Sequence, residues 1–457
     1  MAYTDAPSGR RRPPSGHRRL LRPDRRRALE LLASCPQEGC SEAVMRVHGF
    51  STEQMIELTA AQRVVAGKHR LEAGAAGAGR GPAMSGWTSI RLRWPELLNC
   101  DQTTARRPVH LEQGTWLAMF KVPTVFVIGA GAGFDVGMPL GDKLSQIIGE
   151  KLRITFEGNQ QTSGDSLIME ATRQHAKANG QNANVYRRAA FGVAGGIAYS
   201  RSIDSYLHAH KDDKPLQVCG KLAIVRTILE HEKGSALVAQ KGHEFRDATK
   251  VNGSWLGAFM YGLQEGIVVS ENLGDIFKHL TIVNFNYDRC IEHFLFNAMQ
   301  AWSGKDEREV AERMKGLRIY HPYGSVGDLP WQSGDGIEFG AEADEFGLLK
   351  SSSRIRTFNE EVEDATKLGE IRDAMCAASR VIFLGFHFHS QNMELIKPQS
   401  HAGNEGEAYA TALNRSSADV KLITGQIVKL RRLTACNIDS KWDCDGLFRE
   451  FGTTWLG

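Results

Sequence analysis

The sequence predicts an α/β protein: a Rossmann-like parallel sheet, a large α-helical insertion and a disordered N-terminal extension. Three observations carry this. Short apolar runs alternate with helical patterns over 119–155 and 279–457, as strands buried on both faces by crossover helices do. The intervening 156–278 reads as helix and is expected to pack over the mouth of the sheet. Residues 1–118 differ from the rest in composition. The length of 457 residues accommodates two or three domains.

The first strand is the apolar run Val125 to Ile128, flanked by Pro123 and Gly129. Gly129, Gly131, Gly133 and Gly137 follow, and then a helical pattern with Leu140, Leu144, Ile147 and Ile148 on one face. Pro139 sits where a first helical turn accepts proline. A strand, a glycine-rich turn and a helix N-terminus make an anion site, because unpaired amides point at a pyrophosphate with the helix dipole behind them. The loop departs from the dehydrogenase fingerprint. Its third glycine would fall on Phe134, and the only acid near the expected spacing, Glu150, ends a helical pattern.

Beyond about 155 no good strand is evident until the sheet resumes. Leu222, Val225, Ile228, Leu229 and Glu232 keep a helical spacing, and Ser202-Ile203-Asp204 reads as a helix start. Leu280 to Phe285 is the second strand, followed by a helix with Ile291, Phe294, Leu295, Ala298 and Met299 on one face. Leu317 to Tyr320 is the third. Trp331 to Phe346 is a glycine-rich acidic loop. A helix through Ile371, Ala374, Met375 and Ala378 leads into the fourth strand, Arg380 to Leu384, and Val420 to Ile423 is read as a fifth.

Composition excludes several classes. A hydrophobic share of 42% and a charged share of 24% are ordinary for a globular chain. No window approaches the roughly 18 apolar residues of a membrane span, and the N-terminus lacks the apolar core of a secretory signal. The 8 cysteines form no C-x-x-C pair, which argues against a zinc ribbon or disulfide framework and for reduced, cytoplasmic thiols. Net charge is +3, but residues 1–118 hold 18 basic against 11 acidic side chains, so residues 119–457 are net acidic. A global positive field does not serve the core, and nucleic acid is not its expected partner.

The extension, 1–118, is rich in Arg, Pro, Gly and Ser over 7–27 and in Ala and Gly over 73–81. Ala28 to Ala33 and Glu53 to Val65 are its only helical patterns. A basic nucleic-acid arm is one reading. The favoured readings are a segment too polar to order itself, or translation starting near Met119. Asp5, Asp24 and the prolines argue against a transit peptide.

Four strand ends carry polar residues that a core does not need: Gly129-Ala-Gly131, Asn284-Phe-Asn286-Tyr-Asp288, His321-Pro-Tyr-Gly324 and Gly385-Phe-His387-Phe-His389. A doubly wound sheet brings such ends to one crevice. Taken singly, Asn286 is also a turn or cap residue, and Asp288 is equally suited to a helix N-terminus. His387 and His389 have metal-pair spacing but no evident third ligand, so no metal site is expected.

These motifs carry a resemblance. GAGAGFDVGMP (129–139) resembles the G-A-G-x-S-x-x-x-G-I-P loop of sirtuin-like proteins, and NFNYD (284–288) resembles their T-Q-N-x-D. YHPYGSVG (320–327) is similar to the strand end bearing their catalytic His-Gly, although Tyr323 rather than His precedes Gly324. LGFHFHSQNMELI (384–396) resembles a late loop of the bacterial antiphage-defence branch. The resemblance spans about 119–424. It implies NAD as substrate, held by Gly129, Ala130, Gly131, Gly133, Asp135 and Pro139, by Asp288 at the nicotinamide carboxamide, and by Gly385 and Phe386. Asn286 would position the ribose or a water, and His321 would be the general base. Gly133 stands where the family often has Ser.

The two C-x-x-C pairs of sirtuin deacylases are missing, so the resemblance favours NAD+ glycohydrolysis, an NADase of antiviral (phage) defence, over deacylation or ADP-ribosyl transfer. A non-catalytic NAD- or ADP-ribose-binding module is the alternative of another class. A latent NADase must be held off, and an accessory defence protein or self-oligomerisation would each do so.

Overall fold

The computed structural model describes residues 120–240, 244–356, 360, 365–399 and 405–455, with two short strands upstream. The chain divides into two units, Met1–His110 and Leu111–Gly457. In the first, strand β1 (Val64–Gly67) pairs antiparallel with β2 (Ser89–Leu92). Val64 and Val65 are therefore extended, not the end of the helix expected over 53–65. The basic stretch 7–27, the pattern at 28–33 and the Ala/Gly run 73–81 lie outside the described residues.

The second unit is built on β3 (Thr124–Ile128), whose five residues are all buried. It lies at the middle of a six-stranded sheet with β6 (Leu280–Asn284), β7 (Arg318–Tyr320), β8 (Arg380–Leu384), β9 (Gly406–Thr411) and β10 (Leu433–Asp439). The spatial order is β7-β6-β3-β8-β9-β10, and every neighbouring pair is parallel. Ranked by sequence this is 3-2-1-4-5-6, the order of doubly wound nucleotide-binding sheets, with the direction of winding reversing between β3 and β8. Ile128 is in register with both Asn284 and Leu384. Gly129, Phe285 and Gly385 therefore emerge at one level, where such sheets receive ligands.

Between β3 and β6 lie helix α1 (Gly141–Leu152), a hairpin of β4 (Thr155–Glu157) and β5 (Gln160–Ser163), and helices α2 (Ser166–Ala178), α3 (Ala183–Gly196), α4 (Ile203–Ala209), α5 (Lys214–Gly234), α6 (Ala248–Asn252) and α7 (Trp255–Gln264). Helix α5 shows why this block needs partners. Leu222, Ala223, Ile224 and Val225 are consecutive and all buried, so the helix is apolar around its circumference rather than along one stripe. Asp213 caps it by accepting from the Leu216 amide at 3.0 Å, with Pro215 in the first turn.

After β6 come α8 (Cys290–Ser303), α9 (Glu307–Met314), α10 (Glu345–Ser352), α11 (Ala365–Ala377), α12 (Ser390–Leu395), α13 (Ser417–Leu430) and α14 (Cys444–Trp455). Phe126 of β3 packs on Phe259 of α7 at 5.1 Å and on Phe448 of α14 at 6.2 Å, joining insertion, sheet and C-terminal helix in one aromatic core.

Several expectations need correction. Val420 to Ile423 is not a strand but part of α13, where only Ile423 of the four is buried. The fifth and sixth strands are β9 and β10. β9, GEAYAT, is dominated by small residues and lacks an apolar run. The 155–278 stretch does contain strands, β4 and β5, joined through Gly158 at φ +58°. The Gly158-Asn159 pair is a hairpin signal that reading for helix overlooked. Pro139 precedes the N-cap Leu140 and so lies outside α1. No described helix is long and apolar enough to cross a membrane.

Candidate active site

The glycine loop runs as a 3-10 turn over Ala130–Val136, and α1 begins only at Gly141. No α-helix N-terminus therefore stands directly behind the glycines. Their amides are engaged as well: Gly129 N–H donates to Leu384 O, Gly131 N–H to Gly385 O and Ala132 N–H to Gly129 O, each at 3.0 Å. The expectation of unpaired amides fails at these three positions.

The glycines instead let two backbones touch across the winding reversal. A Cβ on Gly129 would lie 2.7 Å from Gly385 O, and one on Gly131 would lie 2.7 Å from Gly385 Cα. Gly385 itself has φ +55°. Gly385→Ala would set its new carbon 2.2 Å from the Ala132 amide nitrogen in a left-handed conformation. A stability loss of at least about 2 kcal/mol is expected, read as a lowered urea midpoint with unchanged slope.

The other loop residues assigned to the cofactor are placed as follows. Ala130 is half-buried and Gly133 buried. Asp135 is half-buried, and its carboxyl is raised by burial and then by the charges of Asp443 and Asp445. Pro139 is half-buried in the connection to α1.

The β6 end holds the densest chemistry. From Leu280 to Cys290 every residue is buried except Asn286, which is half-buried. Its backbone N–H donates to Asn284 Oδ1 at 3.1 Å, and its Nδ2 donates to Gly129 O at 3.1 Å, tying this end to the glycine loop. Asp288 is 4% exposed, and Oδ1 accepts from the Cys290 amide at 3.1 Å, the helix-start role open to it from sequence. Its Oδ2 lies 3.9 Å from where a Cβ on Gly133 would sit, so the carboxyl faces the glycine loop. Burial, aided by the charges of Glu232 and Glu292, outweighs the Cys290 hydrogen bond and raises Asp288 to about 6. The Cys290 thiol is pushed well up by burial and by Asp288, so it is no nucleophile.

The residues on either side of Asp288 are held by the insertion. The Tyr287 hydroxyl donates to Asp204 of α4. Arg289, 1% exposed, pairs with fully buried Glu232 of α5: Nε donates to Oε1 at 3.1 Å and Nη2 to Oε2 at 2.5 Å. Its remaining donors reach Ile337 O, Glu338 O at 3.2 Å and Asp328 O at 3.4 Å. The acidic loop expected to be featureless thus caps a buried guanidinium. Trp255 of α7 adds a third tie, donating to Ala132 O at 2.7 Å.

His321 lies just beyond β7, its side chain 12% exposed. Nδ1 is 3.0 Å from the backbone carbonyl of Asn286, and Nε2 is 2.6 Å from Glu292 Oε1. A carbonyl can only accept, so Nδ1 carries a proton, and Nε2 faces a carboxylate. Burial pulls the imidazole down, but the charge and hydrogen bond of Glu292, with the Asn286 carbonyl, raise it above its ordinary value. Both ring nitrogens are thus engaged, Nδ1 by the Asn286 carbonyl and Nε2 by Glu292, so neither is free to act as the base expected from sequence. Tyr323, which takes the place of His before Gly324, is buried and donates to Asn392 Oδ1 at 2.7 Å.

In the late loop, Gly385 N–H donates to Thr411 Oγ1 at 2.8 Å. Phe386 is buried against Phe285, Phe383 and Phe388, so its ring serves the aromatic core under the site. His387 and His389 stack with ring centres 4.3 Å apart. No group of three or more His, Cys, Asp or Glu side chains suited to a metal occurs among the described residues.

The sequence thus brought Gly129, Asn286, Asp288, His321 and Gly385 to one end of the sheet. Asp204 and Glu232 are legible in the sequence only as helix positions, not as partners of this strand end, and Glu292 carries no signal at all, because spacing along a helix does not say what an inward acid meets. Asn284 Nδ2 and Glu292 Oε2 are buried without a partner among the described residues, as polar atoms beside a ligand site can be. A cavity of about 200 Å³, lined by Leu167, Arg226 and Leu229 of the insertion and by Ala341 and Leu348 beside and on α10, lies away from these strand ends. No protein-family model and no curated protein matches the chain.

Proposed function

We propose that this protein is a sirtuin-like NAD+ glycohydrolase, releasing nicotinamide and ADP-ribose, that acts in the cytoplasm in antiviral defence by depleting NAD+. The observation that carries the reading is the pairing of half-buried Asn286 with Asp288 at the β6 end, facing the glycine loop of a 3-2-1-4-5-6 sheet. Such sheets receive dinucleotides there.

In this mechanism the ribose C1′–nitrogen bond breaks with its electron pair going to nicotinamide, which leaves neutral. Positive charge grows at C1′, and the ionised Asp288 carboxylate stabilises it. Water held by the Asn286 carboxamide then attacks C1′ and gives its proton to Asp288. A carboxyl raised to about 6 suits both tasks, being ionised at neutral pH yet basic enough to accept a proton. His321 is a positioning residue: clamped by Glu292, it fixes the Asn286 backbone.

The test is the full chain mixed with NAD+ in buffer, with nicotinamide followed by chromatography. Release without an acceptor is the expected result, and Asn286→Ala is expected to slow it about 100-fold or more. Release only with an acyl-lysine peptide would replace the reading with deacylation. Binding without release would make the protein a sensor.

A further inference from the structure

The cavity of about 200 Å³ beside α10 lies between two walls. One is helical, with Leu167 of α2 and Leu229 of α5 meeting Leu348 of α10 in an apolar floor. Arg226 of α5 lines it too and is held by two acids. Its Nε donates to Asp165 Oδ2 at 3.0 Å, and its Nη2 lies 2.9 Å from Glu230 Oε1. Lys151 completes the group, 3.3 Å from Asp165 Oδ2 and 2.6 Å from Glu230 Oε2. Asp165 Oδ1 accepts from the Ile168 amide at 3.0 Å, so all four carboxylate oxygens are engaged. Arg226 Nη1 is not: it has no partner among the described residues. The second wall is the end of the acidic loop, Ala341 to Ala343, whose Glu342 bridges to Lys233 of α5.

We propose that this cavity is a binding site for a small carboxylate with an apolar body, the carboxylate meeting Arg226 and the body resting on Leu167, Leu229 and Leu348. Size sets the first limit: an apolar cavity of about 150 Å³ takes up benzene, so this one has room for a six-membered ring with one small substituent. Charge sets the second. The lining acid Glu230 is satisfied while the guanidinium keeps a donor, so the substituent is an acceptor, and an ionised acceptor bonds a guanidinium more strongly than a neutral one. The site does not depend on the dinucleotide reading, but its walls reach the same residues. Gly340, at φ +73°, brings the loop so close to α5 that a Cβ there would lie 2.9 Å from Lys233 Cα. Its N–H points at Glu232 Oε2, 3.5 Å away. Glu232, with the loop carbonyls of Ile337 and Glu338, holds Arg289 beside Asp288. An occupant touching both walls favours the seated loop, and with it the fixed position of Arg289.

The experiment is calorimetry of the full chain with benzoate and, separately, benzylamine, on wild type, Arg226→Gln and Ala343→Leu. Ala343→Leu adds bulk to the loop wall and alters no charged side chain, so it tests the cavity even where Arg226→Gln loosens the cluster with Asp165 and Glu230. Benzoate is expected to bind wild type once per chain with a Kd of about 1 mM or tighter, and to raise its melting temperature in proportion to occupancy. In each variant that affinity is expected to fall at least about tenfold. No saturable binding of benzoate to wild type, or equal affinity in wild type and either folded variant, overturns the site. Benzylamine binding as tightly as benzoate overturns the carboxylate assignment.

Discussion

Arg289→Ala lowers folding stability by about 3–5 kcal/mol, the expected cost of leaving a buried charge without its partner. Glu232 is 0% exposed, its two carboxylate oxygens accept from the Arg289 side chain, and Oε1 also accepts from the Arg289 backbone N–H at 3.1 Å. Truncating the arginine strands that carboxylate and leaves the carbonyls of Ile337 and Glu338 without their donor. Glu232→Ala should cost a similar amount from the other side. Replacing both at once, Arg289→Met with Glu232→Leu, should recover part of the loss, because it removes the stranded charge while the Arg289 N–H and the carbonyls of Ile337 and Glu338 stay without their partners. Urea denaturation of the three variants checks this. A loss below about 1 kcal/mol for either single change would mean that water reaches the pair.

Asp288→Asn should move stability and activity in opposite directions. The carboxyl titrates near 6 in the folded chain against an ordinary 3.8. Folded molecules therefore hold an extra proton between those values, and the cost of burying the ionised form grows as pH rises through that window. Below about 3.8 the cost vanishes, and above about 6 it reaches its full size, about 3 kcal/mol. An amide carries no such penalty and can still accept the Cys290 N–H. The variant should gain stability at pH 7.5 and little at pH 3.5, read by melting at both. NAD+ turnover should fall by about 100- to 10,000-fold, and in the wild type it should drop as pH is lowered through about 6. An asparagine variant that keeps full turnover would remove Asp288 from the chemistry.

The parts of this fold legible in the sequence were those in which one physical demand governs a whole segment. β3, β6 and β8 are buried on both faces, and TVFVI, LTIVN and RVIFL have almost no other use. β9 is equally buried, but Ala408 and Ala410 pack closely and leave no apolar run to read. β10 lies at the sheet edge, mostly half-exposed, so its sequence alternates with no clear face. The polar strand ends were legible because Asn286, Asp288 and His321 interrupt apolar runs. Their interactions were not. That His321 faces a glutamate follows from α8 turning Glu292 inward, which the Ile291-Phe294-Leu295 pattern does not specify. The glycine loop does lie at the carboxyl end of β3, beside β6 and β8, but the glycine pattern alone does not say whether bare backbone admits a ligand or another strand end. What it meets is the backbone of Gly385, 254 positions downstream by residue number.

The two neighbours of Asp288 answer to different helices, Tyr287 to α4 and Arg289 to α5, across 83 and 57 positions of chain. The Asp288 carboxyl thus has no fixed geometry until both helices have docked. A ribosome-bound chain extended through Arg289 but with the insertion unseated would carry Asn286 and Asp288 without the contacts that hold the neighbours of Asp288. If the chain is the NAD+ glycohydrolase proposed above, the order of assembly itself guards the cell during synthesis.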